Sequence, residues 1–404
     1  MRNVTLADIY EARRILRPLL PSSPLIRNAW LSEVYGCSIF LKMENMQPIG
    51  SFKIRGATVR VAKLTEAERA AGVIAASAGN HAQGVAWGAK QLGVDAVIVM
   101  PNTAPLMKIE NTRALGAQVV LAGENYDEAY SAAQEIQKSS GRTFIPAFED
   151  PDVISGQGTC GLEILEQLPD VDLVISSIGG GGLMAGMGIA FHELNPRTRL
   201  YGCQSSGAPS MARSFREGKA ISLEKAATFA DGIAVLKTKE PMLEILARTI
   251  HGVLEAEDDL IAESVLTLLE KAKIVAEGAA AVPLAVLEQL RSEIQGKNVV
   301  LVISGGNIDV NVLSRIIDRG MTRSGRRLRV NVLLSDRPGS LAKLTDLIAK
   351  KGGNILQAIH DRNEPSTTID LTEVALTLET RGKAHSEEII SALKEQVVRL
   401  ELGH

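Results

Sequence analysis

Lys53 sits in G-S-F-K-I-R-G (50–56), flanked by a phenylalanine and an isoleucine and bracketed by glycines. An ammonium is a compact, strongly hydrated charge. Apolar flanks therefore allow two readings. Either the stem packs while the head reaches water, or the amine is held away from water, where desolvation favours its neutral form and makes it a nucleophile and a base. Three further stretches place polar groups beside bare backbone: S-A-G-N-H-A-Q-G (77–84), S-I-G-G-G-G-L-M-A-G (177–186) and S-G-G-N (304–307). Consecutive glycines that lead into a helical pattern expose N–H groups at the helix's positive end, an anion cradle suited to phosphate. Gly180, Gly182 and Ala185 also match a dinucleotide fingerprint, but that site wants an acidic ribose clamp after the next strand, and R-L-Y-G-C-Q ends in Gln204. No P-loop lysine follows the glycines, so one phosphate on a smaller cofactor is expected, with close helix–strand packing as the structural alternative. Ser77, Asn80 and the amides around Gly79 and His81 would point at a carboxylate placed at their helix start. The His81 ring falls among these donors, a position for anion binding more than for acid–base work.

The elements that must hold these groups are legible as apolar runs. V-I-A-A-S (73–77), A-V-I-V-M (96–100), A-Q-V-V-L-A (117–122) and T-F-I-P-A-F (143–148) alternate with helical segments rich in Ala, Lys, Gln and Leu. The rhythm continues through D-L-V-I-S-S-I (172–178), R-L-Y-G-C (199–203), G-V-L-E-A (252–256) and N-V-V-L-V-I-S (298–304). Such spacing predicts parallel sheets covered by helices on both faces. So many strands exceed one compact sheet, and two α/β lobes are expected. Open sheets bind ligands beyond the carboxyl ends of their strands, and the polar stretches fall there.

After Asn307 the texture changes. R-G-M-T-R-S-G-R-R-L-R (319–329) carries five arginines, and residues 319–327 are expected to form a solvated linker rather than a nucleic-acid contact. Beyond it L-R-V-N-V-L-L (328–334), a helix through L-A-K-L-T-D-L-I-A-K, N-I-L-Q-A-I-H (354–360), T-I-D-L-T-E-V-A-L-T-L-E (368–379), a helix in S-E-E-I-I-S-A-L-K-E (386–395) and a last strand near V-V-R-L-E-L spell βαββαβ. That order is ferredoxin-like. It contains no acid, base or nucleophile cluster, which suits a sensor or assembly unit.

The chain of 404 residues is long enough for two or three domains. Its 44 basic and 47 acidic residues balance, so neither nucleic acid nor an anionic membrane is an expected partner, and a small molecule is. Cys37, Cys160 and Cys203 form no C-x-x-C pairing, which argues for a reducing compartment and against zinc or a disulfide frame. The amino terminus lacks the apolar region of a signal peptide and no uncharged stretch spans a bilayer, so a cytoplasmic protein is expected.

S-F-K-I-R-G, S-A-G-N-H-A-Q-G, G-G-G-G-L and S-G-G-N, in this order, resemble the pyridoxal-phosphate enzymes of the tryptophan-synthase-β fold, specifically the threonine dehydratases, over roughly residues 5–317. The tail, opening on D-R-P-G-S-L, resembles an ACT domain, an amino-acid-binding regulatory module. The resemblance implies a catalytic domain over 1–318, its smaller lobe about 48–150, and an ACT domain over 328–404. It implies pyridoxal 5'-phosphate held covalently by Lys53 and flanked by Phe52 and Gly232. Its phosphate would be wrapped by Gly179, Gly180, Gly181, Gly182 and Leu183, its ring hydroxyl would meet Asn80, and its ring nitrogen Ser304. Ser77, Gly79, Asn80 and His81 would receive the substrate carboxylate.

The implied activity is conversion of L-threonine to 2-oxobutanoate and ammonia, with some action on L-serine, in a homo-oligomer carrying an amino-acid effector site. A hydroxyl such as that of Ser304 cannot keep a pyridine nitrogen protonated, so the ring is a weaker electron sink and loss of a β-substituent is favoured. Serine racemases carry a second serine where this chain has Ala78, and bind a divalent metal where this chain has Gln204 and Ser210, so racemisation lacks its second proton carrier and no metal is expected. Competing readings stand beside this one: a β-replacement synthase or a serine racemase of the same fold, or a decayed amino-acid sensor.

Overall fold

The structure, a computed structural model, describes residues 2–362 and 369–403. The chain forms two compact units, Met1–Ile308 and Asp309–His404. In the first, ten strands run in chain order: β1 (Leu25–Arg27), β2 (Ser38–Met43), β3 (Val73–Ala76), β4 (Ala96–Met100), β5 (Gln118–Leu121), β6 (Thr143–Phe144), β7 (Leu173–Ser177), β8 (Arg199–Ser205), β9 (Gly252–Ala256) and β10 (Asn298–Ile303). They sort into a four-stranded sheet, order β5-β4-β3-β6, and a six-stranded one, order β1-β2-β10-β7-β8-β9. All pairings are parallel except β1 with β2. The two-lobed α/β architecture is therefore present, with the smaller sheet lying between residues 73 and 144.

Burial on both faces explains why these strands read as unbroken apolar runs. Val73, Ala75, Ala96 and Ile98 pack into one core with Val85 and Ala89 of helix Asn80–Gln91, whereas Ile74, Ala76, Val97 and Val99 pack into another with Ala129 and Ala133 of helix Tyr126–Ser140. Two features depart from the sequence reading. β1 and β2 extend the larger sheet, although neither was legible as a strand. The expected strand over 143–148 stops at Phe144, because Pro146 has no N–H to continue a ladder. The chain instead bends there, which brings Ala147 and Phe148 toward the polar strand ends.

The second unit opens with helix Val310–Arg323, capped by the Asp309 carboxylate, which accepts from the N–H groups of Asn311 and Val312. Residues 319–327, expected as an open linker, complete this helix and turn into β11 (Arg327–Ser335), where Arg327 pairs with Asp318. Helix Ser340–Lys350, β12 (Asn354–Asp361), β13 (Leu371–Glu379), helix Lys383–Lys394 and β14 (Arg399–Leu402) follow. Thr368, the expected start of the third strand, lies outside the described residues. The sheet order β12-β13-β11-β14 is antiparallel throughout, the split βαβ arrangement expected from the sequence. Here one face is covered. Val330, Val332, Val374 and Leu376 alternate inward against Leu344, Ile348, Ile389 and Leu393 of the two helices. Among the described residues no helix is long and apolar enough to cross a membrane.

Candidate active site

Three of the polar stretches are tied together by backbone and amide hydrogen bonds. Phe52 N–H donates to Ser304 O (3.1 Å), Gly306 N–H to Gly50 O (2.9 Å), and Ser51 bridges Gly305. Asn307 Nδ2 donates to Ile49 O (2.8 Å) and to Asn80 Oδ1 (2.7 Å), linking the end of β10 to the start of helix Asn80–Gln91. The lysine stretch is thus held at the carboxyl end of the larger sheet, with the S-A-G-N-H turn against it.

Lys53 begins helix Lys53–Ala62 and is half-buried. Its Nζ donates to Ala147 O (3.0 Å) and lies 5.3 Å from the centre of the Phe52 ring. Burial lowers its pKa to about 8, against the opposing pull of the Glu277 carboxylate. Of the two readings open from the sequence, the amine held away from water fits the half-buried side chain and its single carbonyl partner better.

His81 is 4 % exposed, and its Nε2 meets Ile145 O at 2.8 Å. A carbonyl only accepts, so Nε2 carries the hydrogen. Burial and the nearby Lys53 charge push its pKa down to about 3, although the bond to Ile145 opposes this. The ring is neutral at physiological pH. Gly79 N–H donates to Ser77 Oγ (3.1 Å), and the space where a Gly79 Cβ would project is open, so the turn has room for a ligand.

The glycine loop follows β7 and leads into helix Gly182–Leu194. Gly181 has φ +97°, which favours glycine, and no side chain caps the helix. A Cβ on Gly180 would meet the Phe148 ring at 2.1 Å, one on Gly182 would meet Phe148 Cβ at 3.1 Å, and one on Gly179 would meet Gly232 O at 3.1 Å. Close packing accounts for part of this glycine run. The start of the buried helix that follows has no side-chain cap, which is compatible with the anion cradle expected from the sequence. Ser304, buried, lies with its Oγ 3.4 Å from Ser177 Oγ. The segment carrying Gly232 is held by Asp258, whose carboxylate accepts from Ser205 Oγ, Thr228 Oγ1 and Phe229 N–H, and by Lys108, which pairs with Asp231 at 2.7 Å.

A desolvated amine, an uncapped glycine cradle and a buried hydroxyl, Ser51 Oγ, that has no partner among the described residues together fit a phosphorylated aldehyde better than a dinucleotide. Gln204, at the position read as lacking a metal ligand, is fully buried and engaged by Ile178 O (3.0 Å) and Ala212 N–H (2.9 Å), while Ser210 Oγ donates to Val235 O.

Sequence reasoning missed Glu277 and Phe148. Glu277 is 5 % exposed and accepts from Asn80 Nδ2 with both carboxylate oxygens (2.9 and 3.0 Å). Its signal was present as a single carboxylate inside V-A-E-G-A-A (275–280), since a buried acid needs a partner. Phe148 had no such signal.

The sequence model of the pyridoxal-phosphate dependent enzyme family matches residues 16–305. An L-threonine ammonia-lyase of Thermotoga maritima is 48% identical over 387 residues, 96% of each chain, and one of Geobacter sulfurreducens is 44% identical over the same extent. Among solved structures, the processed form of threonine deaminase isoform 2 from Solanum lycopersicum superposes with a TM-score of 0.75 at 38% identity, covering 78% of this chain and 91% of that one.

Proposed function

Because the chain belongs to the pyridoxal-phosphate dependent enzymes, we propose that it converts L-threonine to 2-oxobutanoate and ammonia, and L-serine, as a side activity, to pyruvate and ammonia. The observation that carries this reading is one half-buried lysine with a lowered pKa, in a chain that matches threonine ammonia-lyases along 96% of its length. The cofactor is pyridoxal 5'-phosphate, joined to Lys53. Phe52 and Gly232 would flank its ring, Asn80 would meet the ring hydroxyl and Ser304 the ring nitrogen, and Gly179–Gly182 with Leu183 would hold the phosphate.

Bound cofactor supplies the electron sink that acidifies the substrate's α-carbon and lets a β-substituent leave. The protein's own groups do the rest. Lys53 Nζ, freed when the substrate's amino group takes its place on the cofactor, would take the α-proton, and its lowered pKa, about 8 in the cofactor-free chain, favours a usable neutral fraction near pH 7. The N–H groups from Gly79 to His81, with Ser77, bind the substrate carboxylate and hold the α-carbon against Nζ. His81, neutral and tied to Ile145 O, steadies that turn and carries no proton into the reaction. Ser304 is too weak an acid to protonate a pyridine nitrogen, which favours prompt departure of the β-hydroxyl. The α-proton and the β-hydroxyl are lost together as water, the released enamine takes up water, and ammonia and the 2-oxo acid result.

The competing readings are not favoured. Ala78 has no proton to carry for racemisation. The relatives named above are ammonia-lyases and a deaminase, not sulfide-using synthases. Lys53 and the glycine loop are intact, against a decayed sensor. The second unit is read as an ACT-type effector module, the protein as a cytoplasmic homo-oligomer. Its βαββαβ order and D-R-P-G-S opening support the first of these.

Measuring 2-oxo acid release from L-threonine and L-serine, with and without each branched-chain amino acid, tests the reading. Turnover of threonine above serine is expected. Absence of either product from pyridoxal-phosphate-loaded protein overturns it.

A further inference from the structure

Glu277 belongs to none of the four stretches that the sequence singled out, yet it touches the machinery from three sides. Both its oxygens accept from Asn80 Nδ2, its backbone N–H donates to Gly305 O (3.1 Å), and its carboxylate fills the space beside two glycines. A Cβ on Gly305 would lie 2.5 Å from Glu277 Oε1, and one on Gly232 would lie 3.4 Å from it. Those glycines flank Ser304 and Asp231, so the carboxylate stands where the β10 end, the Gly232 segment and the Asn80 turn converge.

This placement settles the orientation of the Asn80 amide. The Ile49 carbonyl only accepts and so fixes Asn307 Nδ2 as a donor; Asn80 Oδ1 therefore faces Asn307 and its NH2 faces Glu277. A neutral side chain at 277 could present a donor instead and allow the amide to turn over, exchanging donor for acceptor toward the site.

The charge matters as well as the shape. The ionisable groups that act on Glu277 are Asp231, Lys108 and Lys53, from the Gly232 segment, the helix Leu106–Ala114 and the lysine stretch. Burial and Asp231 raise its pKa to about 7, while the Asn80 bond and the two lysines oppose the rise. Glu277 in turn is the group that opposes the lowering of the Lys53 pKa.

We propose that Glu277 is a positioning residue of the reaction: it fixes the Asn80 amide between its own carboxylate and Asn307, and it is the counter-charge to the Lys53 amine. The inference rests on the reading of Lys53 as the cofactor lysine and adds a group that sets its protonation.

The test follows the amine, not turnover. The full-length chain, freed of cofactor and checked by circular dichroism against the loaded enzyme, is pulse-labelled with acetic anhydride from pH 5 to 10, and acetylation of Lys53 is read by peptide mass spectrometry. Glu277→Gln removes the counter-charge, so the midpoint is expected to fall by about one pH unit. The ratio of neutral to charged amine at a given pH then rises about tenfold. Glu277→Asp, which keeps the charge, is expected to recover at least half of that shift. Equal midpoints in wild type and Glu277→Gln overturn the proposal, as does a Glu277→Asp midpoint as low as that of Gln.

If Glu277→Gln does not fold, Asn80→Ala serves instead. Loss of the amide donors raises the proton affinity of Glu277, so the Lys53 midpoint again falls, and an unchanged midpoint overturns the proposal. Borohydride reduction of the loaded wild type separates the two levels. A tag on Lys53 with equal midpoints sinks this inference alone, whereas no tag on Lys53 sinks the function reading and the inference with it.

Discussion

Lys42 and Lys53 both lie inside the first unit, but they are held in different ways. Lys42, fully buried on β2, donates to Ser23 O (2.7 Å), Glu163 Oε2 (2.7 Å) and Gln167 Oε1 (2.9 Å). Glu163 shares its oxygens with Arg55, whose guanidinium also grips Glu44, and Ser23 Oγ closes the circuit on Glu44. Two cations and two anions are thus buried together with their donors and acceptors matched. Lys53 has one neutral acceptor, Ala147 O, and a pKa lowered to about 8. Satisfied charges make a fixed joint, whereas an under-satisfied one is reactive. The two regions are joined by a single helical turn, since Arg55 and Lys53 both lie at the start of helix Lys53–Ala62. The buried network pins to β2 and to helix Pro151–Gln167 the very turn that presents the amine.

Substitutions at the two lysines should separate along this line. Lys53→Ala is expected to lower kcat by a factor of about 10³ or more, given the contribution of a positioned proton acceptor, while the melting temperature of the cofactor-free chain holds or rises because a desolvated amine has gone. A variant with activity within about tenfold of wild type would break the contrast, since that is less than the contribution ascribed to general acid–base catalysis. Arg55→Met and Lys42→Met should do the opposite in kind: each leaves the buried carboxylates of Glu44 and Glu163 with one cation between them and is expected to cost about 3–5 kcal/mol of stability, read by urea unfolding of the cofactor-free chain. Stability within about 1 kcal/mol of wild type, the range of a surface ion pair, would show that the network is not the joint described.

Gly180→Ala probes the cradle. Its Cβ would overlap the Phe148 ring, so either ring or loop must move. An overpacking cost of about 1–3 kcal/mol is expected to appear as weaker cofactor binding, measured by equilibrium dialysis. Unchanged affinity would assign that glycine to nothing beyond packing.

The smallest effect sharpens the comparison through pH. Only a neutral amine attacks an aldehyde, and the Lys53 ammonium, destabilised by burial, loses its proton as pH rises through about 8. The rate of cofactor capture by the cofactor-free chain should therefore climb about tenfold per pH unit below that point and level off above it, as followed by stopped-flow absorbance. A midpoint near that of a free lysine would contradict the desolvated amine.

Much of this arrangement is legible in the residues alone. Strands buried on both faces cannot hide their apolar runs, so β3, β4, β9 and β10 were read within a residue of their observed ends. β2 escaped because the buried Lys42 interrupts S-I-F-L-K-M, and a lysine reads as surface until its acceptors are known. Glu44, Arg55 and Glu163 escaped for the same reason. Their meaning lies in contacts between residues far apart in sequence, and no local pattern records them. Lys53 and the three strand-end stretches were legible because glycine and small polar residues after an apolar run mark backbone exposed to a ligand. The bend after Phe144 had a local signal in Pro146, which the reading of 143–148 as one strand passed over. Nothing local told that Phe148 would settle on the glycine loop.

The central claim is tested most directly by reducing the pyridoxal-phosphate-loaded enzyme with borohydride and mapping the modified peptide by mass spectrometry. The account predicts a single phosphopyridoxyl group on Lys53. A group on any other side chain, or no modification at all, would contradict it.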